Sequence, residues 1–278
     1  MTENYLGSVK KFGITRILDG VVENKTDLIT VEEPLEIQIK YFEDGEWKQR
    51  QLVVTMRTPG DDKALAIGFL FTEGIIGVSD IFPKIEQLEA HRLIIRLDKN
   101  TPVSFNRLER HFFSSSSCGV CGIAAIENLE KTSCYFPRIG LPRVNIEVIE
   151  RLPTLLQSDQ SLFTKTGGIH AAGLFSKTGN MIALQEDVGR HNALDKLIGT
   201  CLLEGGLPLR NHILMLSGRI SFELVQKTMM TGIPVITAIG APSSLAVELA
   251  EEVGITLIGF LKEKRFNVYC GAERLILA

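Results

Sequence analysis

Alternation of apolar and polar positions with a period of two dominates the first hundred residues. Val31 to Tyr41, Gln51 to Arg57 and Arg92 to Leu97 read as strands, and Glu43-Asp44-Gly45 supplies hairpin-turn residues between the first two. The period changes once. After Thr58-Pro59-Gly60-Asp61, the stretch Lys63 to Thr72 spaces Leu65, Phe69 and Leu70 as a helix does. Strands with a single helix predict a small strand-rich α+β domain over residues 1–113. Residues 114–143 keep neither period. Ser114 to Ser117 precede Cys118-Gly119-Val120-Cys121-Gly122, a helical pattern follows from about Ile123 to Glu130, and Pro137, Gly140 and Pro142 then break the chain. This segment reads as a connection carrying a loop, where functional residues often sit.

From residue 144 onward helices and strands take turns. A helix is expected from about Ile146 to Gln157, bent at Pro153, then strands Ile169 to Phe175 and Met181 to Gln185. The helix Arg190 to Glu204 gathers Leu194, Leu197, Ile198, Cys201 and Leu202 on one face and stops at Gly205. Strand His212 to Leu216, helix Phe222 to Thr231, strand Pro234 to Ile239, helix Leu245 to Val253 and strand Ile255 to Leu261 complete the order. Residues 144–278 are therefore expected to form an α/β domain of three layers, a mostly parallel sheet with helices on both faces. Ligands of such sheets collect at the strand carboxyl ends, beside helix N-termini.

Composition narrows the function classes. The 278 residues are 45% hydrophobic and 23% charged, enough to bury a sizeable core. The net charge is -3 with no basic block, which argues against a nucleic-acid partner. No apolar run approaches the ~20 residues that span a bilayer. Met1 to Ile17 lacks the apolar core of a signal peptide, so no membrane partner and a cytoplasmic location are expected. Five cysteines, at 118, 121, 134, 201 and 270, are odd in number and scattered, which argues against a disulfide framework. Cys201 and Cys270 read as ordinary buried cysteines. Only Cys118 and Cys121 have a spacing that suggests chemistry.

The glycines around that pair leave its thiols accessible, and a helix starting near Ile123 would bring its N-terminal amides close to Cys121. Such a thiolate can accept a sulfur atom as a persulfide and pass it on. The alternatives are half of a structural zinc site, which lacks a second Cys or His pair, and a thioredoxin-like redox pair, which lacks the preceding strand. No metal of the protein's own is expected.

Two further loops invite an anionic ligand. Glu186-Asp187-Val188-Gly189-Arg190-His191-Asn192 joins a strand to a helix N-terminus, with Gly189 read as permitting a sharp turn. Free amides and Arg190 there suit a phosphate, and His191 suits a proton carrier. The plainer reading has Asp187 as a helix cap and His191 as a packed side chain. Ser217-Gly218-Arg219 repeats the arrangement one helix later, and two such loops favour a phosphate-bearing ligand. Thr166-Gly167-Gly168-Ile169-His170 opens the first strand, where Gly167-Gly168 would let backbone approach a ligand. Lys262 to Arg265, at the end of the last expected strand, either add positive charge to the same rim or form a solvated run.

Taken together, these motifs resemble the formate dehydrogenase accessory sulfurtransferases, the FdhD family. The resemblance spans nearly the whole chain. It includes Gly68-Phe69-Leu70-Phe71-Thr72-Glu73-Gly74-Ile75-Ile76, the Cys118 to Gly122 stretch and Glu186 to Lys196. It continues through Ser217-Gly218-Arg219, Val225-Gln226-Lys227, Leu245-Ala246-Val247-Glu248 and Gly259-Phe260. The resemblance implies a sulfur carrier that takes persulfide sulfur from a cysteine desulfurase. The sulfur goes to the molybdenum of the bis-molybdopterin guanine dinucleotide cofactor, bound as cargo and later used by formate dehydrogenase. It puts the persulfide on Cys118 and a cofactor-binding stretch on Phe260-Leu261-Lys262-Glu263-Lys264-Arg265. Family members tend to have glycine or proline where Glu263 and Lys264 stand. The resemblance also implies a cytidine-deaminase-like fold for the larger domain. A zinc nucleotide deaminase is a poor fit, because His191-Asn192-Ala193 lacks the required glutamate and Ser217-Gly218-Arg219-Ile220 lacks cysteine. A cofactor-binding chaperone without sulfur transfer remains as the other reading. The oligomeric state is open, a homodimer being compatible with the sequence.

Overall fold

The computed structural model describes residues 7–77, 84–101, 103 and 135–277. The helix expected over Ile123 to Glu130, with Cys118 and Cys121, lies outside them. The alternating N-terminal pattern forms strands, preceded by a hairpin that it did not suggest. β1 (Val9–Leu18) and β2 (Val21–Thr30) pair antiparallel in unbroken register. β3 (Glu33–Glu43) and β4 (Glu46–Arg57) form the expected hairpin. After α1 (Asp62–Thr72), β5 (Lys84–Glu89) and β6 (Arg92–Arg96) complete a four-stranded sheet in the order β4-β3-β6-β5. Alternation on β3 turns Leu35, Ile37, Ile39 and Tyr41 inward.

The remaining chain builds a six-stranded sheet. β7 (Val144–Asn145) leads into α2 (Ile146–Asp159), which contains Pro153, and α3 (Ser161–Thr166). Then follow β8 (His170–Ser176), β9 (Met181–Asp187), α4 (Arg190–Leu203), β10 (His212–Leu216) and α5 (Phe222–Met229). β11 (Val235–Ala238), α6 (Ser244–Glu252), β12 (Thr256–Lys262) and β13 (Arg265–Cys270) complete the sheet. A short 3₁₀ turn, Ala272–Arg274, precedes β14 (Leu275–Ile276), which pairs with β7.

The expectation of a mostly parallel sheet is overturned. In the order β13-β12-β11-β10-β8-β9, only the pairings β10–β11 and β11–β12 are parallel; the pairings β8–β9, β8–β10 and β12–β13 are antiparallel, so β8 and β13 run against the other four strands. Connection length explains two of these. Lys177 to Asn180 joins β8 to β9 and Glu263-Lys264 joins β12 to β13, both far shorter than a parallel crossover needs.

Helices do cover both faces. On one, Val148, Ile149, Leu152 and Leu156 of α2 meet Ala171, Phe175, Ile213 and Met215. On the other, α4, α5 and α6 cover Leu174, Leu214, Leu216, Ile236 and Leu257, and the same buried cluster continues through α1 to Leu35, Ile37 and Ile39 of the four-stranded sheet. That continuity depends on a close crossing of α1 and α4. A Cβ on Gly68 would overlap the Asp195 carbonyl, and one on Gly199 the Ala64 carbonyl, so only hydrogen fits at both positions. Among the described residues, no helix is long and apolar enough to cross a membrane.

Candidate functional site

Four loops meet along one edge of the six-stranded sheet, because β8 starts where β9, β10, β11 and β12 end. Backbone bonds run across them. Gly240 N–H donates to Gly218 O at 3.2 Å, and Phe260 N–H donates to Gly240 O at 3.1 Å. Ser217 Oγ accepts from Ala171 N at 2.8 Å, tying β10's end to β8. A cavity of about 510 Å³ opens at this edge, walled by Gly167, Gly168, His170, Val188, Ser217 and Ile239 together with Gln160 of the α2–α3 junction. Its surroundings offer donors lacking acceptors. Gln160 Nε2 is buried without a hydrogen-bond partner, and so is Nε of Arg190, at the first turn of α4. No side chain caps that helix, and Arg219 extends exposed from the neighbouring loop. Unpaired amides at a helix start, two guanidinium groups and a buried amide donor suit a group rich in oxygen acceptors. Burial first, then Arg190 and His191, pushes the His170 pKa below the ordinary histidine value, opposed by Asp187.

Several residues expected in the site have other work. Asp187 is fully buried, and its carboxylate is saturated: Gly189 N (2.8 Å) and Asn192 Nδ2 (3.1 Å) donate to Oδ1, Lys196 Nζ (2.8 Å) and Thr58 N (3.2 Å) to Oδ2. It fastens the turn from within, so its placement among cofactor-contacting residues is corrected. The chain bends at Val188-Gly189 as expected, with Gly189 at an ordinary φ of -96°. A Cβ there would press on Asn192 Nδ2 at 3.0 Å. His191 Nε2 lies 2.8 Å from Glu223 Oε2 and 3.2 Å from Ser221 Oγ, so its ring bridges α4 and the start of α5.

The stretch 260–265 stands on the next strand over and does not wall the cavity. Leu261 is fully buried in the core facing α2, which corrects its place in the site. Phe260 adopts φ 52°, a conformation rare for an aromatic residue, while its side chain is 42% exposed. Such strain, held by the bond to Gly240, often marks a functional position. Lys262, Glu263, Lys264 and Arg265 are exposed at the β12–β13 turn, and Glu263 Oε1 accepts from Thr154 Oγ1 of α2 at 3.2 Å. Lys264 sits at φ 58°, a left-handed conformation that glycine adopts without the strain a side chain brings. Lys264→Gly is therefore expected to stabilise the fold by about 0.5–1 kcal/mol, the left-handed cost less the entropy glycine adds. An unchanged or lowered denaturant midpoint would show that the turn carries no such strain.

The sequence reading missed a second polar constellation. Lys227 Nζ, buried, donates to Thr72 Oγ1 (2.8 Å), Glu73 Oε1 (3.0 Å) and Asp195 Oδ2 (3.0 Å), while Thr72 Oγ1 donates to Asp195 Oδ1 (2.9 Å). Burial raises the Asp195 pKa, opposed by Lys227. Lys227 itself is held above the usual lysine range, its burial being outweighed by Asp195 and Glu73. These groups close one end of a cavity of about 330 Å³ floored by Ile37, Leu52, Leu65 and Phe69, which His191 also lines. The signal available was an Asp and a Lys interrupting the apolar faces of α4 and α5. Among the described residues no cluster of His, Cys, Asp and Glu could hold a metal.

Comparison with known proteins bears on all of this. The family model described as FdhD/NarQ matches residues 30–276. The chain belongs to the FdhD/NarQ family. A relative from Streptomyces avermitilis, described as sulfur carrier protein FdhD, is 42% identical over 274 residues, covering 95% of this chain and 94% of its own. One from Saccharolobus solfataricus with the same description is 41% identical over 267 residues, covering 96% and 98%. A crystal structure of a candidate formate dehydrogenase accessory protein from Desulfotalea psychrophila superposes with a TM-score of 0.73 at 25% identity, covering 96% of this chain and 99% of that one. The fold is thus shared with that accessory protein over nearly its whole length.

Proposed function

We propose that this protein is a sulfur carrier, a sulfurtransferase that takes persulfide sulfur from a cysteine desulfurase and delivers it to the molybdenum bis-molybdopterin guanine dinucleotide destined for formate dehydrogenase. The observation that carries the reading is full-length similarity, above 40%, to relatives described as sulfur carriers. The Cys118-Gly119-Val120-Cys121-Gly122 stretch supplies two thiols in a form suited to the task. The sheet-edge cavity supports the cargo assignment. Arg190, Arg219 and Gln160 present donors to a phosphate-bearing ligand, Ser217 lines the cavity, and Phe260 with Lys262 and Arg265 stands alongside, while His191 faces the neighbouring cavity of about 330 Å³. The cytidine-deaminase-like description of the larger unit belongs to the same proposal.

Two measurements test it. Intact-protein mass spectrometry after incubation with a desulfurase and cysteine should show the gain of a sulfur atom, and no gain would refute the carrier. Calorimetric titration with guanosine diphosphate tests the cargo site. Arg190→Ala or Arg219→Ala should each weaken binding about ten-fold or more at modest salt, since a charge-assisted contact is lost. Unchanged affinity in both variants, with the thermal midpoint preserved, would place the nucleotide elsewhere.

A further inference from the structure

A second hollow lies at the opposite end of the six-stranded sheet. Arg210 comes just before β10 and Arg219 just after it, so the two ends of one strand separate this hollow from the cavity described above. Lys177, in the β8–β9 turn, is at the same end as Arg210, because Ser176 pairs with His212. Arg138 and Arg143, from the stretch ahead of β7, complete the lining, with Asn211 as a neutral polar neighbour; the hollow measures about 440 Å³. Four cations therefore face one concavity, and no carboxylate among the described residues lines it. In a chain with 33 acidic and 30 basic residues, that separation of charge is not the background composition. Among the described residues none of the four pairs with a carboxylate.

Two features show that the hollow is held open and short of acceptors. Arg210 Nε is buried with no hydrogen-bond partner, while its guanidinium lies 6.0 Å from the centre of the Tyr135 ring. A buried guanidinium donor without an acceptor is costly unless a ligand supplies one. Behind the hollow, Arg274 is fully buried and holds the loop that bears Arg138 and Arg143. Its Nη2 donates to Arg138 O at 2.8 Å, its Nε to Leu141 O at 2.9 Å, and its Nη1 to Thr256 Oγ1 at 3.0 Å. The loop is thus fixed before any ligand arrives, and a fifth positive charge backs the four that line the site.

We propose that this hollow is a second anion site, taking the phosphate or diphosphate group of a small molecule. Three arginines converge in a concave setting, and guanidinium groups match phosphate oxygens in paired, short-range bonds, which suits a compact multivalent anion. The inference does not rest on the sulfur-carrier reading and survives its failure.

The test is a titration with inorganic pyrophosphate at low salt, using the full chain carrying Arg190→Ala and Arg219→Ala so that the sheet-edge cavity does not contribute. Saturable binding is expected. Adding Lys177→Ala or Arg138→Ala, both exposed and without a side-chain bond among the described residues, should weaken it about ten-fold each. Arg210→Gln should do the same with an unchanged thermal midpoint. Absence of pyrophosphate binding in the parent variant overturns the proposal, as does indifference to all three substitutions. Equal binding of sulfate and chloride would mean an adventitious ion only, and would overturn it too. Displacement of pyrophosphate by a glutamate-rich peptide that binds more tightly would overturn it in favour of an acidic protein partner.

Discussion

Cys118→Ala is expected to abolish loading of sulfane sulfur, while Cys201→Ala and Cys270→Ala load as the wild type does. Sulfur transfer needs a thiolate that can reach a persulfide on another protein. Cys201 is buried on α4, and burial pushes its pKa up to about 11. At neutral pH only about one molecule in ten thousand would carry that thiolate. Cys270 is also raised, by burial first, and its Sγ lies 3.2 Å from Ile255 O as a donor. Neither suits a carrier. The choice of Cys118 within the Cys118-Gly119-Val120-Cys121 pair follows the family resemblance, and Cys121→Ala should be milder. The measurement is the mass gained after incubation with desulfurase and cysteine, variant by variant. If Cys118→Ala gains as much sulfur as the wild type, the carrier thiol is another residue. If Cys118→Ala gains no sulfur and yet activates formate dehydrogenase fully, the chaperone reading replaces the carrier.

The extent to which the sequence disclosed this molecule depended on the range of the interaction involved. Helix α4 was legible because Leu194, Leu197, Ile198, Cys201 and Leu202 share a stripe that a single helix must bury. Strands β8 to β12 of the six-stranded sheet were legible for the same local reason. Strand direction was not, since it depends on which edge a strand joins, and the turn at Glu263-Lys264 hid the antiparallel β13 behind a run of charge. The hairpin β1–β2 was missed because Val9–Leu18 is almost wholly exposed, leaving no buried face to impose a period. In the site, the sequence located the loops bearing Arg190 and Arg219 correctly along one sheet edge. It misplaced Asp187 and Leu261, because burial is decided by what packs on a residue from outside its own segment. The Lys227–Asp195–Glu73 network had the same cause: its members lie as many as 155 residues apart, Thr72 to Lys227.

The correction at Asp187 carries a large expected effect of its own. Asp187→Ala should cost about 3–5 kcal/mol of stability, the usual penalty for leaving one member of a buried ion pair alone. Lys196 is itself buried, and without Asp187 its ammonium keeps, among the described residues, only the Thr58 carbonyl, at 2.8 Å. Gly189 N and Thr58 N would lose an acceptor at the same time. Because Thr58 lies ahead of α1 and also accepts from Val188 N at 3.1 Å through its hydroxyl, the damage spreads across the junction of the two halves of the chain. Asp187→Asn should be nearly as harmful despite its shape. Its oxygen can still serve Gly189 N, but its NH₂ group would face two donors, the Lys196 ammonium and Thr58 N–H. The double variant Asp187→Ala, Lys196→Met should recover part of the loss, since it removes the stranded charge. Urea unfolding of the four proteins provides the comparison. A midpoint for Asp187→Asn equal to the wild type's would show that this carboxylate is not the anchor of the turn, and would return Asp187 to the residues that contact the ligand.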